Sequence, residues 1–137
     1  MEVRINAQGF LWVKDGTASS YVDIRELRAR AKQFIKNENN LSILPEKHPI
    51  NIPLLGMCAL TDKHVISVQT ARDTPYFAYF QVQNELVAAY SELRDEISKE
   101  KFGRLYESLD EDLKAAVRQY YPQNISEAEP KKYGVAQ

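Results

Sequence analysis

Histidines, cysteines and clustered carboxylates are the side chains through which a small domain does chemistry, and this chain carries few of them in useful company. His48 and His64 are its two histidines and Cys58 its one cysteine. Neither histidine has a second histidine or a cysteine at metal-ligand spacing, so both read as surface or loop residues and no metal site is expected. Cys58 sits among Met57, Ala59 and Leu60, where a thiol packs as a small, inert hydrophobe. The five glycines form no phosphate-cradling loop, dinucleotide fingerprint or Gly-x-Ser-x-Gly elbow. No catalytic residue and no cofactor is therefore expected. Enzyme chemistry would need the fold to bring His48 or His64 beside Cys58 or a carboxylate in a cleft, which spacing leaves open.

Three further groups each have a structural reading beside a functional one. Glu107, Asp110, Glu111 and Asp112 could bind calcium, but acidic residues at a helix start are favoured by the helix dipole. Tyr76, Tyr79, Tyr90, Tyr120 and Tyr121, among eight tyrosines, could form a ligand platform; their helical spacing makes most of them core or rim residues. Arg25, Arg28 and Arg30 could read phosphate, yet Asp23 and Glu26 are mixed with them, as on a solvated helix face.

The elements that position these residues follow from the apolar pattern. The 137 residues fit one domain, long enough to bury most of a core. Eighteen basic and 19 acidic residues leave a net charge of −1, so no field draws the chain to nucleic acid. No apolar run approaches the roughly eighteen residues of a membrane span, and no basic-then-apolar leader opens the chain.

Val3 and Ile5 alternate as a strand, Ala7-Gln8-Gly9 turns, and Phe10–Val13 returns in a hairpin with Gly9 where positive φ is needed. After a turn at 14–17, Ser19 to Val22 leads towards a helix that Asp23 and Glu26 start in capping-box spacing. Ile24, Leu27, Ala31 and Phe34 or Ile35 form its stripe. Residues 41–63, with Pro45, Pro49 and Pro53, read as a long ordered loop with a short edge strand near Ile50-Asn51-Ile52.

The chain is organised around His64 to Ile97: a strand with Ile66 and Val68 on one face, then Thr74 as N-cap and Pro75 as first helical residue. Tyr79, Val82, Leu86, Tyr90, Leu93 and Ile97 make the next stripe. Residues 99–103 end that helix. A second capping box, Ser108 to Glu111, precedes a helix bearing Leu109, Leu113, Ala116, Val117 and Tyr120, then Pro122. Residues 125–129 read as a final strand and 130–137 as a tail. The expected fold is α+β: a two-layer sandwich of a small mixed sheet with helices on one face, built from two strand-helix units plus a helical extension over 98–124.

The run Val3-Arg4-Ile5-Asn6-Ala7-Gln8-Gly9-Phe10-Leu11-Trp12-Val13, followed by Val22-Asp23-Ile24-Arg25-Glu26-Leu27, resembles the start of the periplasmic domain of ExbD/TolR biopolymer-transport proteins. Val65-Ile66-Ser67-Val68-Gln69, Arg72-Asp73-Thr74, then Tyr79, Val82 and Leu86 are similar to that family's second strand-helix block. The helix Val82-Gln83-Asn84-Glu85-Leu86-Val87-Ala88-Ala89-Tyr90 and the segment Ile125-Ser126-Glu127-Ala128-Glu129-Pro130-Lys131 resemble longer members. Compact members lack the enlarged loop at 41–63 and the helical segment at 98–124.

The resemblance implies a single periplasmic domain over 1–137 whose N-terminal transmembrane anchor, with its energy-coupling aspartate, lies outside this chain. It implies a non-enzymatic part in proton-motive-force-coupled transport at the bacterial inner membrane. The partners it implies are an ExbB- or TolQ-like motor subunit, a TonB-like energy-transfer protein or peptidoglycan, and a second copy in a homodimer. Which residues would meet those partners is unknown from sequence. An independent ligand-binding or adaptor domain, with the tyrosines and the proline-rich loop forming a pocket, is the competing class.

Overall fold

In the computed structural model the described residues are 1–14, 19–36, 48–60 and 65–128. Period-two burial sets the first two strands, β1 (Glu2–Ile5) and β2 (Leu11–Lys14), while β3 (Ser19–Val22) is exposed except at Val22. Val3, Ile5, Leu11, Val13 and Val22 face the core while Arg4, Lys14 and Tyr21 are exposed. The hairpin expected at the N-terminus is present, with Val3 opposite Val13. Gly9 has φ 86°, and a Cβ there would sit 3.4 Å from that of Ala78; only glycine takes both the turn and the close approach without strain. Ser19–Val22, expected only as a lead into the helix, is a full edge strand against β2.

Helix α1 (Ile24–Lys36) buries Leu27, Ala31, Phe34 and Ile35, as its stripe predicts. At its start Asp23 Oδ1 accepts from the Arg25 backbone N–H at 2.9 Å, while the Glu26 N–H goes to the Asp23 carbonyl. The carboxylate thus serves the first turn one residue earlier than a capping box does.

Strand β6 (Ile66–Thr70) pairs in parallel with β1 on one side and with the last strand, β7 (Ile125–Ala128), on the other. The sheet order is β3-β2-β1-β6-β7, a mixed sheet with helices over one face. Thr74 does not cap the helix that follows. Helix α2 (Tyr76–Phe102) has Pro75 at its N-cap with no side-chain cap bond. The Thr74 hydroxyl instead donates to the Ile5 carbonyl at 2.8 Å and accepts from the Ala71 N–H at 2.7 Å. The Ile5 carbonyl also accepts from the Ala71 N–H at 3.1 Å, so the Thr74 hydroxyl adds a second bond to it where the ends of β1 and β6 meet.

Along α2, Val82, Leu86, Ala89, Tyr90, Leu93 and Ile97 are buried. They form one continuous core with the inner sheet face and α1. Gly103, with φ 70°, ends the helix by donating to the Lys99 carbonyl, the left-handed cap that glycine adopts most cheaply. A 3₁₀ turn (Tyr106–Ser108) leads to α3 (Glu111–Tyr120), whose N-cap is Asp110, accepting from the Leu113 N–H at 3.0 Å. The helix start expected from a capping box at Ser108 is thereby displaced by two residues, and Leu113 at the third position leaves a single cap bond in place of the reciprocal pair.

Three bonds to residues of α2 place the chain for β7. Arg94 donates from Nε and Nη2 to the Tyr121 carbonyl at 3.1 and 3.0 Å. The Tyr90 hydroxyl accepts from the Asn124 N–H at 3.3 Å.

Within the expected loop, 48–60 is a second sheet: β4 (His48–Ile52) antiparallel to β5 (Gly56–Leu60). The segments 41–47 and 61–63 of that loop, the turn at 15–17 and the tail at 130–137 lie outside the described residues. Pro49 is tolerated because β4 pairs on one side only, where a missing N–H breaks no second ladder. Ile52 and Cys58 pack on Ala116, docking this hairpin on α3. No described helix is long and apolar enough to cross a membrane.

Candidate functional site

Among the described residues no group of three or more His, Cys, Asp or Glu side chains is placed to hold a metal ion. His48 lies on β4, but its imidazole and all of His64 are outside the described residues. The Cys58 thiol is buried, as its neighbours predict, and its Sγ lies 3.6 Å from the Gly56 carbonyl. Burial also pushes the nearby Tyr120 hydroxyl up, with Cys58 adding to the shift. The acidic cluster does not converge on a ligand. Asp110 caps α3, Glu111 and Asp112 fill its first turn, and Glu111 pairs with Arg118 at 2.7 Å; this is the dipole arrangement expected from sequence.

The arginine face divides. Arg25 stays at the surface against Asp23 at 3.1 Å, as a solvated face implies. Arg28 instead bridges two carboxylates of α2, Glu85 and Glu92, each at 2.7 Å. Lys32 reaches Glu96 at 2.6 Å and Glu92 at 3.4 Å, and Lys36 reaches Glu96 at 3.6 Å. Glutamates at 85, 92 and 96 therefore face the basic side of α1 in a ladder along both helices. Sequence reasoning kept each helix to itself and so missed the cross-helix pairing. Burial pushes Glu92 up, but Arg28 and Lys32 outweigh it and hold the carboxyl below its ordinary range.

Aromatic side chains are the feature that sequence reasoning divided least well. Tyr90 and Tyr121 are buried and Tyr79 and Tyr120 half-buried, as helical spacing predicts. Tyr76 is not: it is 74% exposed, beside Phe77 at 71% and Phe80 at 50%. The Tyr76 ring lies 6.1 Å from those of both Tyr79 and Phe80. Phe77 and Phe80 fall outside the apolar stripe of α2, and aromatic residues off the stripe were the available sign that the helix carries a second apolar surface.

This aromatic cluster is continuous with the sheet edge. Glu127 of β7 is hydrogen-bonded to Gln83 of α2, and Gln83 donates to the Tyr79 hydroxyl at 3.1 Å. The nearby Glu127 carboxylate, with burial adding to it, pushes the Tyr79 hydroxyl above its ordinary range. Strand β7 is the last strand of the five-stranded sheet and pairs only with β6 among the described residues. Side-chain contacts from Glu127 to Gln83, from Gln83 to Tyr79 and from Tyr79 to the Tyr76 ring thus link β7 to the exposed aromatic residues.

A separate open groove of about 340 Å³ runs between the β4–β5 turn and α3, lined by Pro53, Leu54, Asp112, Ala115, Ala116 and Gln119. Leu54 there has φ 73°, uncommon for a residue with a Cβ. Pro53 of the proline-rich loop lines this groove, and no tyrosine does.

Comparison with known protein families, with curated proteins and with solved structures found no match to this chain.

Proposed function

We propose that this chain is a non-enzymatic docking domain, and that it serves a proton-motive-force-coupled energy-transduction subunit of the ExbD/TolR kind, exposed to the periplasm of a bacterial inner membrane. The observation that carries the docking role is the contiguity of the β7 edge with the exposed aromatic surface of Tyr76, Phe77 and Phe80. A strand edge supplies main-chain hydrogen bonds to an extended partner, and flanking apolar side chains supply area and selectivity. The identity of the system rests on the resemblance of the N-terminal hairpin-helix block, the second strand-helix block and the 125–131 segment.

In this reading an ExbB- or TolQ-like motor subunit drives the anchored protein. The domain passes that work on by contacting a TonB-like protein or peptidoglycan, and a second copy of the chain completes a homodimer. The test is a photo-reactive residue at Phe80 of the full native protein in its source cells, with Lys99, exposed at the far end of α2, as control. The expected result is an adduct in the membrane fraction, several times stronger from position 80 than from position 99. Adducts found only in the soluble fraction would replace this reading with that of an independent adaptor domain.

A further inference from the structure

The outer face of the sheet, opposite the helices, carries an ordered row of side chains. Register places Tyr21 of β3 opposite Trp12 of β2, Trp12 opposite Arg4 of β1, and Arg4 opposite Gln69 of β6. Tyr21 is 68% exposed, and the Arg4 side chain is 58% exposed, held only by a 3.6 Å contact with Glu2. The Trp12 and Tyr21 rings meet edge to face, with centroids 5.1 Å apart and planes at 80°. Two ring surfaces at right angles make a notch rather than a flat platform. Lys14 stands opposite Glu2 in the adjacent row.

We infer that this face binds a proline-rich segment of a partner protein in the polyproline II conformation, seated in the Trp12–Tyr21 notch and held by Arg4 and Gln69. The first argument is hydrogen-bond complementarity. The row presents the Trp12 indole N–H, the Arg4 guanidinium and the Gln69 carboxamide, none of which bonds another described side chain more closely than the Arg4–Glu2 contact. A proline-rich segment has carbonyl acceptors, no internal hydrogen bonds and few N–H groups, so it is what a donor-rich face leaves unopposed.

Spacing is the second argument. Adjacent strands lie about 4.8 Å apart, so Tyr21 and Arg4, two strands apart, are separated by roughly 9.6 Å. One turn of polyproline II is three residues of about 3.1 Å, or roughly 9.3 Å. A ligand crossing the strands therefore sets residues i and i+3 over Tyr21 and Arg4 with Trp12 between them, the aromatic-groove mode of proline recognition. The face is unsuited to the other common docking modes. Strand addition needs an edge, and single-stranded nucleic acid needs more net positive charge than Arg4 and Lys14 against Glu2 supply.

Trp12 is the only tryptophan in the chain, so its fluorescence reports on the notch directly. The test titrates the whole protein with an octaproline peptide, with a Gly-Ser octapeptide, a chito-oligosaccharide and a cytidine octanucleotide as comparisons. The expected result is a saturable Trp12 response to octaproline, weakened at least tenfold in Tyr21→Thr and Arg4→Gln and unchanged in Lys99→Ala. Both variants are at exposed strand positions, and circular dichroism melts verify that they remain folded. No saturable response, an equal response in folded Tyr21→Thr, or a stronger response to the sugar or oligonucleotide would overturn the proposal. It stands apart from the β7 edge, so its failure leaves the docking role of that edge untouched.

Discussion

Tyr90 is the largest side chain sealed in the core, and burial pushes its hydroxyl up to about 12. A phenol whose folded pKa exceeds its unfolded value of about 10 contributes stability fully below pH 10 and loses it as pH rises towards 12. Tyr90→Phe should therefore flatten the alkaline fall of stability in chemical denaturation. It should also cost about 1 kcal/mol at neutral pH, because the Asn124 N–H loses its acceptor.

Leu54 tests the opposite situation, an exposed side chain on a strained backbone. The Leu55 N–H bonds the Ile52 carbonyl at 3.0 Å across this turn, closing it around Pro53 and a residue with φ 73°. Leu54→Gly should leave the melting temperature unchanged or raise stability by up to about 1 kcal/mol, relief of the left-handed strain being partly offset by the added freedom of the unfolded glycine. The sequence announced Gly9 as a turn glycine because Ala-Gln-Gly sits between two alternating runs. It could not announce Leu54, since nothing in a leucine's chemistry favours positive φ.

Between elements, the dominant polar feature is the ladder joining α1 to α2. Its members are partly solvent-exposed, with Arg28 at 42% and Glu92 at 41% by side chain, so screening limits its worth. Arg28→Ala should cost about 1 kcal/mol or less at low salt, and the loss should shrink in 1 M salt. Since Glu92 has a depressed pKa in the fold, its contribution is present above its unfolded pKa and fades as pH falls through the folded value. Arg28→Ala should accordingly weaken the acid dependence of stability in a pH series of melts.

The β4–β5 hairpin makes a second prediction at this scale, because Ile52, Cys58 and Ala116 are the buried residues that dock it on α3. Ile52→Ala should speed amide exchange across 48–60 while leaving β1, β2 and β6 protected, as a two-stranded ribbon is marginal without its apolar anchor. Helix faces and the two strand-helix units were legible because apolar side chains recur at a fixed period. Helix caps were less so. Thr74 and Ser108 have the chemistry of N-caps, yet one is drawn to the Ile5 carbonyl and the other lies in a 3₁₀ turn, tertiary outcomes that local spacing does not encode.

For the whole molecule, the two-layer α+β arrangement was legible because the buried strand positions Val3, Ile5, Leu11, Val13, Val22, Ile66 and Val68 are apolar and the helices carry apolar stripes. The candidate site was less legible. A β7 edge was expected at 125–129, but the aromatic surface beside it arises from Phe77 and Phe80, which belong to no stripe, and from a Glu127–Tyr79 contact between residues far apart in the chain. Together they gather exposed aromatic side chains at one end of α2 and leave charged pairs along the ladder between the helices.

The most direct test of the proposed role follows the full native protein through fractionation of its source cells, with protease added to intact spheroplasts. The account predicts a membrane-bound protein heavier than this 137-residue chain, with this domain cleaved from the outside. A soluble protein of this chain's own size, or a membrane protein whose domain stays protected until the spheroplasts are lysed, would contradict it.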